Sequence, residues 1–220
     1  MSSEPRPAVV FAGAPLDPTP RLRARIGALR SPRVIAADSG AATALAFDLR
    51  PDIVVGDFDS LDPATRLALE SHNVPFERHP TAKDATDGQL ALQHALLHQP
   101  SEILLLGYLN GPRLDMTVST VLLLTLSAVR TTLLDERNEA ILLRGPQRHV
   151  WSPEEDELIS LLPLMGDCQG VRTDGLRFPL RGESLIVGDT RGVSNEALAG
   201  EVAVAFDEGV LLLCRHFARL

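Results

Sequence analysis

The sequence predicts an α/β fold, in which a parallel sheet covered by helices is followed by a smaller all-β unit. Short β-branched or leucine-rich runs alternate with helical stretches through the first two-thirds of the chain. The run "ILLL" at Ile103 is apolar at every position, as expected for a strand that is buried on both faces. After about Asn138, short apolar runs recur between turn residues without a long helical pattern, which is typical of an antiparallel β domain.

The first part of the chain is predicted to contain five strands, with five helices between them. The predicted strands are Ala8–Ala12, Arg33–Ala37, Asp52–Gly56, Glu102–Gly107 and Thr131–Asp135. The predicted helices are Arg21–Leu29, Ser39–Phe47, Pro63–His72, Ala85–His98 and Asp115–Val129. Because strands that alternate with helices of this length form βαβ units, residues 1–138 are predicted to be an N-terminal Rossmann-like parallel-sheet domain.

The remainder, residues 139–220, is predicted to be a small C-terminal β-sandwich domain, with a partial barrel as the alternative. Its predicted strands are Ala140–Leu143, Leu158–Leu162, Ser184–Val187, Val202–Phe206 and Val210–Cys214. Turn sequences such as "MGDCQG" and "DEGV" separate these strands.

Composition excludes several classes of function. A net charge of −8 over 220 residues and a pI of about 5.2 argue against non-specific binding to nucleic acid or to an anionic membrane. The N-terminal sequence has neither the basic nor the long apolar region of a signal peptide, and the longest apolar run is too short to span a bilayer. Cys168 and Cys214 lack metal-ligand spacing and are expected to be reduced thiols, so a cytoplasmic protein is predicted.

Acidic residues follow several predicted strands at the point where each strand ends. Asp38 follows "VIAA", Asp57 and Asp59 follow "DIVV", and Asp115 lies after the strand "EILLLG". Asp87 begins a predicted helix in "KDATDGQLAL". Any one of them alone is explained by helix capping, but the carboxyl ends of parallel strands meet at one edge of a sheet, where ligands bind. So many acids at one edge favour a site that holds a divalent cation.

Magnesium is the predicted ion, because it takes oxygen ligands and is shared with substrate phosphates. In an extended segment, residues two apart point the same way, so Asp57 and Asp59 can face one ion while Phe58 packs inward. Lys83 and Arg113 lie beside the other acidic stretches and can neutralise phosphate oxygens. The sequence therefore predicts a site for a metal and a polyphosphate.

Six motifs give the sequence a family resemblance. "AADSGA", "VVGDFDS", "KDATDGQLAL", "GPRLD", "GLRFPL" and "GVSNE" occur in the order found in thiamine pyrophosphokinases, and the resemblance covers nearly the whole chain. It implies a homodimer in which domains of different subunits meet over the substrate. The implied reaction transfers the pyrophosphoryl group of ATP to the hydroxyl of thiamine, which gives thiamine diphosphate and AMP.

The resemblance also implies roles for individual residues. Asp57, Asp59, Asp87 and Asp115 correspond to the catalytic acids, and the first three are the implied ligands of Mg²⁺. The implied ATP-binding residues are Asp38, Lys83, Asp84 and Arg113, and the implied thiamine-binding residues are Phe178, Ser194 and Asn195. Either Asp115 or Asp87 would accept the proton of the attacking alcohol, and the sequence does not choose between them.

The chain departs from the family pattern at three positions near the phosphates. "GPRLDM" replaces "GGRxDH", so Pro112 and Met116 stand where the family has glycine and histidine, and Ser39 stands at another usual glycine. Two alternatives stay open. One is a related pyrophosphokinase that acts on another alcohol, such as a hydroxymethyl pterin, and the other is a relative that binds ligands without turnover.

Overall fold

The structure, a computed structural model, describes residues 4–218. The chain forms two compact units, of which the first ends at Glu136 and the second begins at Arg137. The first contains a parallel sheet with helices and the second contains antiparallel strands, so the predicted fold class is confirmed.

Six parallel strands form the sheet of the first unit, in the order β4-β3-β2-β1-β5-β6. The strand order changes direction at β1, because the chain builds outward to β4 and then returns to place β5 on the other side of β1. The strands are β1 Ala8–Phe11, β2 Arg33–Ala37, β3 Ile53–Gly56, β4 Phe76–Arg78, β5 Ile103–Leu106 and β6 Thr131–Leu134. The edge strand β4 was not predicted, since its three residues "FER" carry two charges and no apolar run.

Local sequence fixes where the helices of this unit begin. Thr19 accepts a hydrogen bond from Leu22 N and precedes Pro20, a pairing that suits a helix N-terminus. The helices are α1 Pro20–Gly27, α2 Gly40–Ala46, α3 Pro63–Ser71, α4 Asp87–Leu97 and α5 Leu114–Leu123, and a 3₁₀ turn, Leu124–Leu126, follows α5. The helix predicted to reach Val129 ends earlier in the structure, at Leu123. Beyond the 3₁₀ turn, Ser127 Oγ donates to Val129 O and accepts from Val129 N, and such local side-chain bonds compete with the hydrogen bonds of a helix.

Burial explains the position of the central strands. Every residue of β1 and β5 is buried, so these strands have helices on both faces. Phe11 packs against Phe47, with ring centroids 5.4 Å apart, in a cluster that also includes Leu22 and Ile26 of α1. A second cluster joins β2, β3 and α3 and includes Val54 and Leu69.

The second unit is a sandwich of two antiparallel sheets. One sheet has the order β12-β9-β14-β7 and the other has the order β11-β10-β13-β8. The strands are β7 Asn138–Arg144, β8 Gln147–Trp151, β9 Leu158–Pro163, β10 Cys168–Asp174, β11 Arg181–Leu185, β12 Asn195–Glu196, β13 Val202–Phe206 and β14 Val210–His216. Buried side chains from both sheets form one cluster, which includes Ile141, Val171, Val204 and Leu213.

One predicted strand of this unit is displaced. The prediction placed a strand at Ser184–Val187, whereas β11 spans Arg181–Leu185. Ile186 and Val187, which suggested the strand, are exposed beyond its end. Within residues 4–218, no helix has the length and apolar character needed to cross a membrane.

Candidate active site

A cavity of about 520 Å³ lies beyond the carboxyl ends of β1, β2 and β5 in the first unit. This is where the strand order reverses, the usual ligand position in an open α/β sheet, and the volume suits a nucleotide-sized ligand. Segments after three strands and the first turns of α4 and α5 line it, including Gly13, Asp38, Ser60, Asp87, Tyr108, Arg113 and Met116.

Asp38 is the most deeply buried acid of the cavity. Its backbone has a φ of +47°, and its N–H donates to the carbonyl of Val55 in β3. Ser60 Oγ donates to Asp38 Oδ2 at 2.6 Å, while Oδ1 is buried without a partner among the described residues. Burial raises the pKa of Asp38, the charges of Asp87 and Asp57 add to that effect, and the Ser60 hydrogen bonds only partly oppose it. The unpartnered oxygen is therefore free to bind a ligand.

Asp57 and Asp59 converge with Asp38 at the end of the neighbouring strand. Each of the three residues offers a carboxylate oxygen, and these atoms lie within 4.8 Å of one another. The Asp59 N–H donates to Asp57 Oδ1, and Phe58 between them has a φ of +68° and packs edge-on against Phe76. The two carboxylates therefore converge through a turn with a left-handed residue at its centre, and not through the extended segment expected from the sequence.

Lys83 links two of the acidic segments. Its Nζ donates to Asp57 Oδ2 at 3.1 Å and to Asp87 Oδ1 at 2.7 Å. Burial disfavours the charged amine, but hydrogen bonds to the two carboxylates outweigh it and raise the pKa of Lys83. The pKa of Asp57 is lowered by the backbone hydrogen bond from Asp59 and by Lys83. Lys83 is the only lysine of the 220-residue chain, which otherwise takes its side-chain cations from arginine and histidine.

Asp87 begins α4 close to Asp38. A Cβ built on Gly56, which has a φ of +153°, would lie 3.1 Å from Asp87 Oδ1 and 3.2 Å from Asp38 Cβ. The absence of a side chain at Gly56 thus lets the two acidic segments approach each other. The metal ligands expected from the sequence are Asp57, Asp59 and Asp87. The oxygens that gather most closely are those of Asp57, Asp59 and Asp38, and Asp87 joins them through Lys83.

The remaining predicted residues of this unit lie toward its surface. Arg113 lines the cavity and forms an ion pair with Asp115, and both side chains are largely exposed. The hydrogen bonds from Arg113 lower the pKa of Asp115. Asp84 is exposed, and neither it nor Asp115 lines the cavity. Sequence analysis missed Ser60, although it belongs to the quoted "GDFDS", and Tyr108, whose buried hydroxyl donates to Gly88 O.

A second cavity, of about 550 Å³, lies within the β unit. Phe178 lines it and leaves 62% of its surface exposed, so this ring is not part of the core. Asn195 fixes the backbone of Phe178, since its side chain accepts from Phe178 N at 3.0 Å and donates to Phe178 O at 2.7 Å. Ser194 lies beside Asn195 with a φ of +58°, and its N–H donates to Ser160 Oγ. These hydrogen bonds hold the backbone that presents the exposed ring to the cavity.

Comparisons with known proteins match two parts of the chain to two domains of one family. Residues 28–133 match the family model "Thiamin pyrophosphokinase, catalytic domain", and residues 148–211 match "Thiamin pyrophosphokinase, vitamin B1 binding domain". The chain is 28% identical over 184 residues to the thiamine pyrophosphokinase of Bacillus subtilis, which covers 82% of this chain and 86% of the relative.

Solved structures of thiamine pyrophosphokinases are also similar to this chain. A crystal structure of the thiamine pyrophosphokinase from Bacillus subtilis matches with a TM-score of 0.86 at 26% identity, over 97% of this chain and 100% of that one. The enzyme from Geobacillus thermodenitrificans matches with a TM-score of 0.82 at 25% identity, over 96% and 97% of the two chains.

Fold and site together define a transferase of the kinase type, built from an α/β domain and a β-sandwich. The two family models between them match well over half of the sequence. The chain belongs to the thiamine pyrophosphokinase family. The resemblance seen in the motifs is therefore confirmed, and thiamine is favoured over a pterin as the substrate.

Proposed function

We propose that this protein transfers the pyrophosphoryl group of ATP to the hydroxyl of thiamine with the help of Mg²⁺, and releases AMP. The observation that carries the proposal is the convergence of Asp38, Asp57 and Asp59 within 4.8 Å beside a nucleotide-sized cavity. The attacking oxygen is that of the thiamine alcohol, the bond that breaks joins the α- and β-phosphates, and AMP carries away the bridging oxygen.

The acidic residues suit Mg²⁺. The three converging carboxylates are hard oxygen donors, and the buried Asp38 Oδ1 lacks a protein partner. Asp38, Asp57 and Asp59 would hold the ion, with Asp87 next to them as the predicted further ligand. When bound, Mg²⁺ would neutralise charge on the phosphate oxygens during transfer.

Cationic side chains complete the polyphosphate site. Lys83 presents its amine between Asp57 and Asp87, and Arg113 reaches the cavity from the start of α5. Both would stabilise charge on the transferred group or on the departing AMP, since charge stabilisation and positioning supply most of the catalysis in phosphoryl transfer. Asp84, the other predicted ATP-binding residue, would act at the rim.

We favour Asp87 over Asp115 as the acceptor of the alcohol proton. Asp87 lines the cavity, whereas Asp115 does not line it.

Each predicted domain would bind one substrate: residues 1–138 would bind the nucleotide and the metal, and residues 139–220 would bind thiamine. Phe178 would stack on the thiamine ring system, and Asn195 and Ser194 would hold the loop that presents it. Reduced Cys168 and Cys214 are compatible with the proposed cytoplasmic location.

We further propose that the protein is a homodimer. Leu114, Val118, Leu122 and Leu126 follow one another at four-residue intervals along α5 and the 3₁₀ turn, and 49% or more of each is exposed. Such a row of apolar side chains is typical of a protein interface, and a second copy of the same helix would cover it. A Leu122→Glu variant should sediment as a monomer where the wild type sediments as a dimer.

The proposed reaction is tested by incubating the protein with ATP, Mg²⁺ and thiamine and analysing the products by mass spectrometry. Thiamine diphosphate and AMP in equal amounts are expected. AMP formation with a hydroxymethyl pterin and none with thiamine would indicate the related pyrophosphokinase. Calorimetric binding of thiamine and ATP without AMP formation would indicate a non-catalytic relative.

A further inference from the structure

We infer that Glu77, held by His79 and His94, positions Lys83 for the reaction. These three residues, called the Glu77 clamp below, are not among the residues that line the cavity. The inference rests on the proposed role of Lys83 in stabilising the transferred phosphates.

The clamp is a single carboxylate that bonds two imidazoles. His79 Nε2 lies 2.9 Å from Glu77 Oε1, and His94 Nδ1 lies 2.9 Å from Glu77 Oε2. Burial alone would raise the pKa of Glu77, but the hydrogen bond from His79 and the charge of His94 outweigh it, so the pKa is lowered. Because Glu77 is the ionised acceptor, each imidazole donates the N–H of the nitrogen that faces it.

The clamp bonds one residue on each side of the segment that carries Lys83. Residues 80–86 contain neither helix nor strand and connect β4 to α4. At the first end, His79 is bonded to Glu77 by its ring, and its backbone N–H donates to Gly56 O at 2.8 Å. At the other end, His94 is bonded to Glu77 from within α4. Glu77 of β4 therefore links the residue before this segment to the second turn of the helix after it, in addition to the packing of α4 against β2 and β3.

The same face of α4 serves the clamp and the active site. Asp87 and His94 are seven residues apart, which is two helical turns, so both side chains point to the same side of the helix. Asp87 bonds Lys83 and His94 bonds Glu77. A shift or rotation of α4 after loss of the clamp would move Asp87, and the Lys83 amine would lose one of its two carboxylate partners.

The geometry favours a positioning role over a second metal site. Among residues 4–218, only Asp38, Asp57 and Asp59 bring three potential ligand atoms within 4.8 Å, and the clamp is not such a group. The neighbouring His98, whose ring centroid lies 5.3 Å from that of His94, does not complete one.

A direct test measures the position of Lys83 through the reactivity of its amine. Since Lys83 is the only lysine, acylation with an amine-specific reagent followed by mass spectrometry reports Lys83 alone, with the N-terminal amine as an internal reference. In the wild type, Lys83 is 14% exposed and bonded to two carboxylates, so it should react slowly. In Glu77→Ala it should react several-fold faster, and in the control Glu70→Ala, at an exposed ion pair of α3, the rate should not change.

Kinetics test whether the clamp acts through Lys83. Glu77→Ala should lower kcat about tenfold to hundredfold with little change in the thiamine KM, since small misplacements of a charged group cost this much. In a Lys83→Met background, Glu77→Ala should cause no further loss. His94→Asn and His79→Gln, which keep an N–H near Nδ1 and Nε2, should lose much less turnover than the alanine variants.

The results with the Lys83 and Glu77 variants separate the proposed role of Lys83 from the proposed role of the Glu77 clamp. Normal turnover in Lys83→Met would contradict the proposed role of Lys83, and the inference would fall with it. An inactive Lys83→Met with unchanged kcat and unchanged Lys83 acylation in Glu77→Ala would overturn the clamp alone. A loss in Glu77→Ala that is equally large in the Lys83→Met background would also overturn it, because the residue would then act on the fold generally.

Discussion

Replacing Asp38 by asparagine should make the metal-free protein more stable and nearly inactive. Asp38 is 6% exposed, and its Oδ1 is buried without a partner in the described part of the chain. An unsatisfied buried polar atom costs about 1–3 kcal/mol, and more where it carries charge. Asparagine is uncharged, keeps an oxygen for Ser60, and tolerates the φ of +47°. The expected gain in free energy of unfolding is on the order of 1 kcal/mol, since an uncharged amide replaces a buried negative charge that nearby carboxylates repel.

The pH dependence of this gain has a definite sign. The pKa of Asp38 is raised in the folded protein above its ordinary value of 3.8, so the folded state binds this proton more tightly than the unfolded chain does. The contribution of Asp38 to the free energy of unfolding is largest below pH 3.8 and is lost as the pH rises through the raised pKa. The advantage of Asp38→Asn should accordingly be largest at neutral pH and should shrink as the pH falls through that range.

The assay is thermal unfolding without metal, followed by the same measurement in Mg²⁺. For a chain of this size, about 1 kcal/mol corresponds to about 2–4 °C in Tm. Asp38→Asn should raise Tm in EDTA, lose the Mg²⁺-dependent increase of the wild type, and lower kcat by about 10² or more. The exposed Asp48→Asn serves as the control and should change none of the three. A lower Tm in EDTA, or an unchanged response to Mg²⁺, would refute the reasoning.

Three further predictions concern single side chains. Asp59→Asn should keep Tm and lower the rate of AMP release by about 10² or more, because it removes a carboxylate from the metal site. The helix-capping variant Thr19→Ala should instead lose about 1 kcal/mol of stability and keep normal AMP release. Phe178→Ala should raise the thiamine KM at least about tenfold and leave the ATP KM unchanged, since burial of an aromatic ligand against the ring is lost; equal changes in both would contradict its assignment to thiamine. Gly40→Ala should lower the free energy of unfolding by about 1–3 kcal/mol, because its Cβ would lie 2.3 Å from Phe11 O, and an unchanged urea midpoint would contradict this.

The parallel sheet could be predicted because burial and periodicity coincide in its strands. The strand predicted at Asp52–Gly56 is Ile53–Gly56 in the structure, and that predicted at Arg33–Ala37 has these bounds. By contrast, Phe76–Arg78 is three residues long and lies at the sheet edge, so no apolar run marks it. Yet this strand carries Glu77, which bonds His79 before the segment that contains Lys83 and His94 in the helix after it.

The β-sandwich was predicted only in part, because polar residues alternate with buried ones in several of its strands. Val202–Phe206 is mostly buried and was predicted with its observed bounds. Gln147–Trp151 and Cys168–Asp174 were missed, since polar residues occupy many of their positions. Register shifts between β10 and β11 interrupt the regular alternation further. A pattern that depends on hydrophobic runs cannot detect such strands.

The acidic site was predicted as far as chain geometry alone determines it. The grouping of Asp57 and Asp59 with Asp38 follows from β2 and β3 being neighbours in the sheet, whereas the turn at Phe58, with its φ of +68°, replaces the extended segment that was expected. The hydrogen bond from Ser60 to Asp38 and the bonds of Lys83 depend on the paths of irregular segments, which periodicity does not specify. The pairing of Arg113 with Asp115 likewise depends on side-chain conformations at an exposed helix start.

The most direct test is a crystal structure of the protein with Mn²⁺ in place of Mg²⁺ and a non-hydrolysable ATP analogue, with the ion located by its anomalous scattering. The expected result is an ion bound by Asp38, Asp57 and Asp59 and by oxygens of the nucleotide's phosphates, with the Lys83 amine beside those phosphates. An ion bound elsewhere on the nucleotide, with none of these three carboxylates among its ligands, would contradict the account.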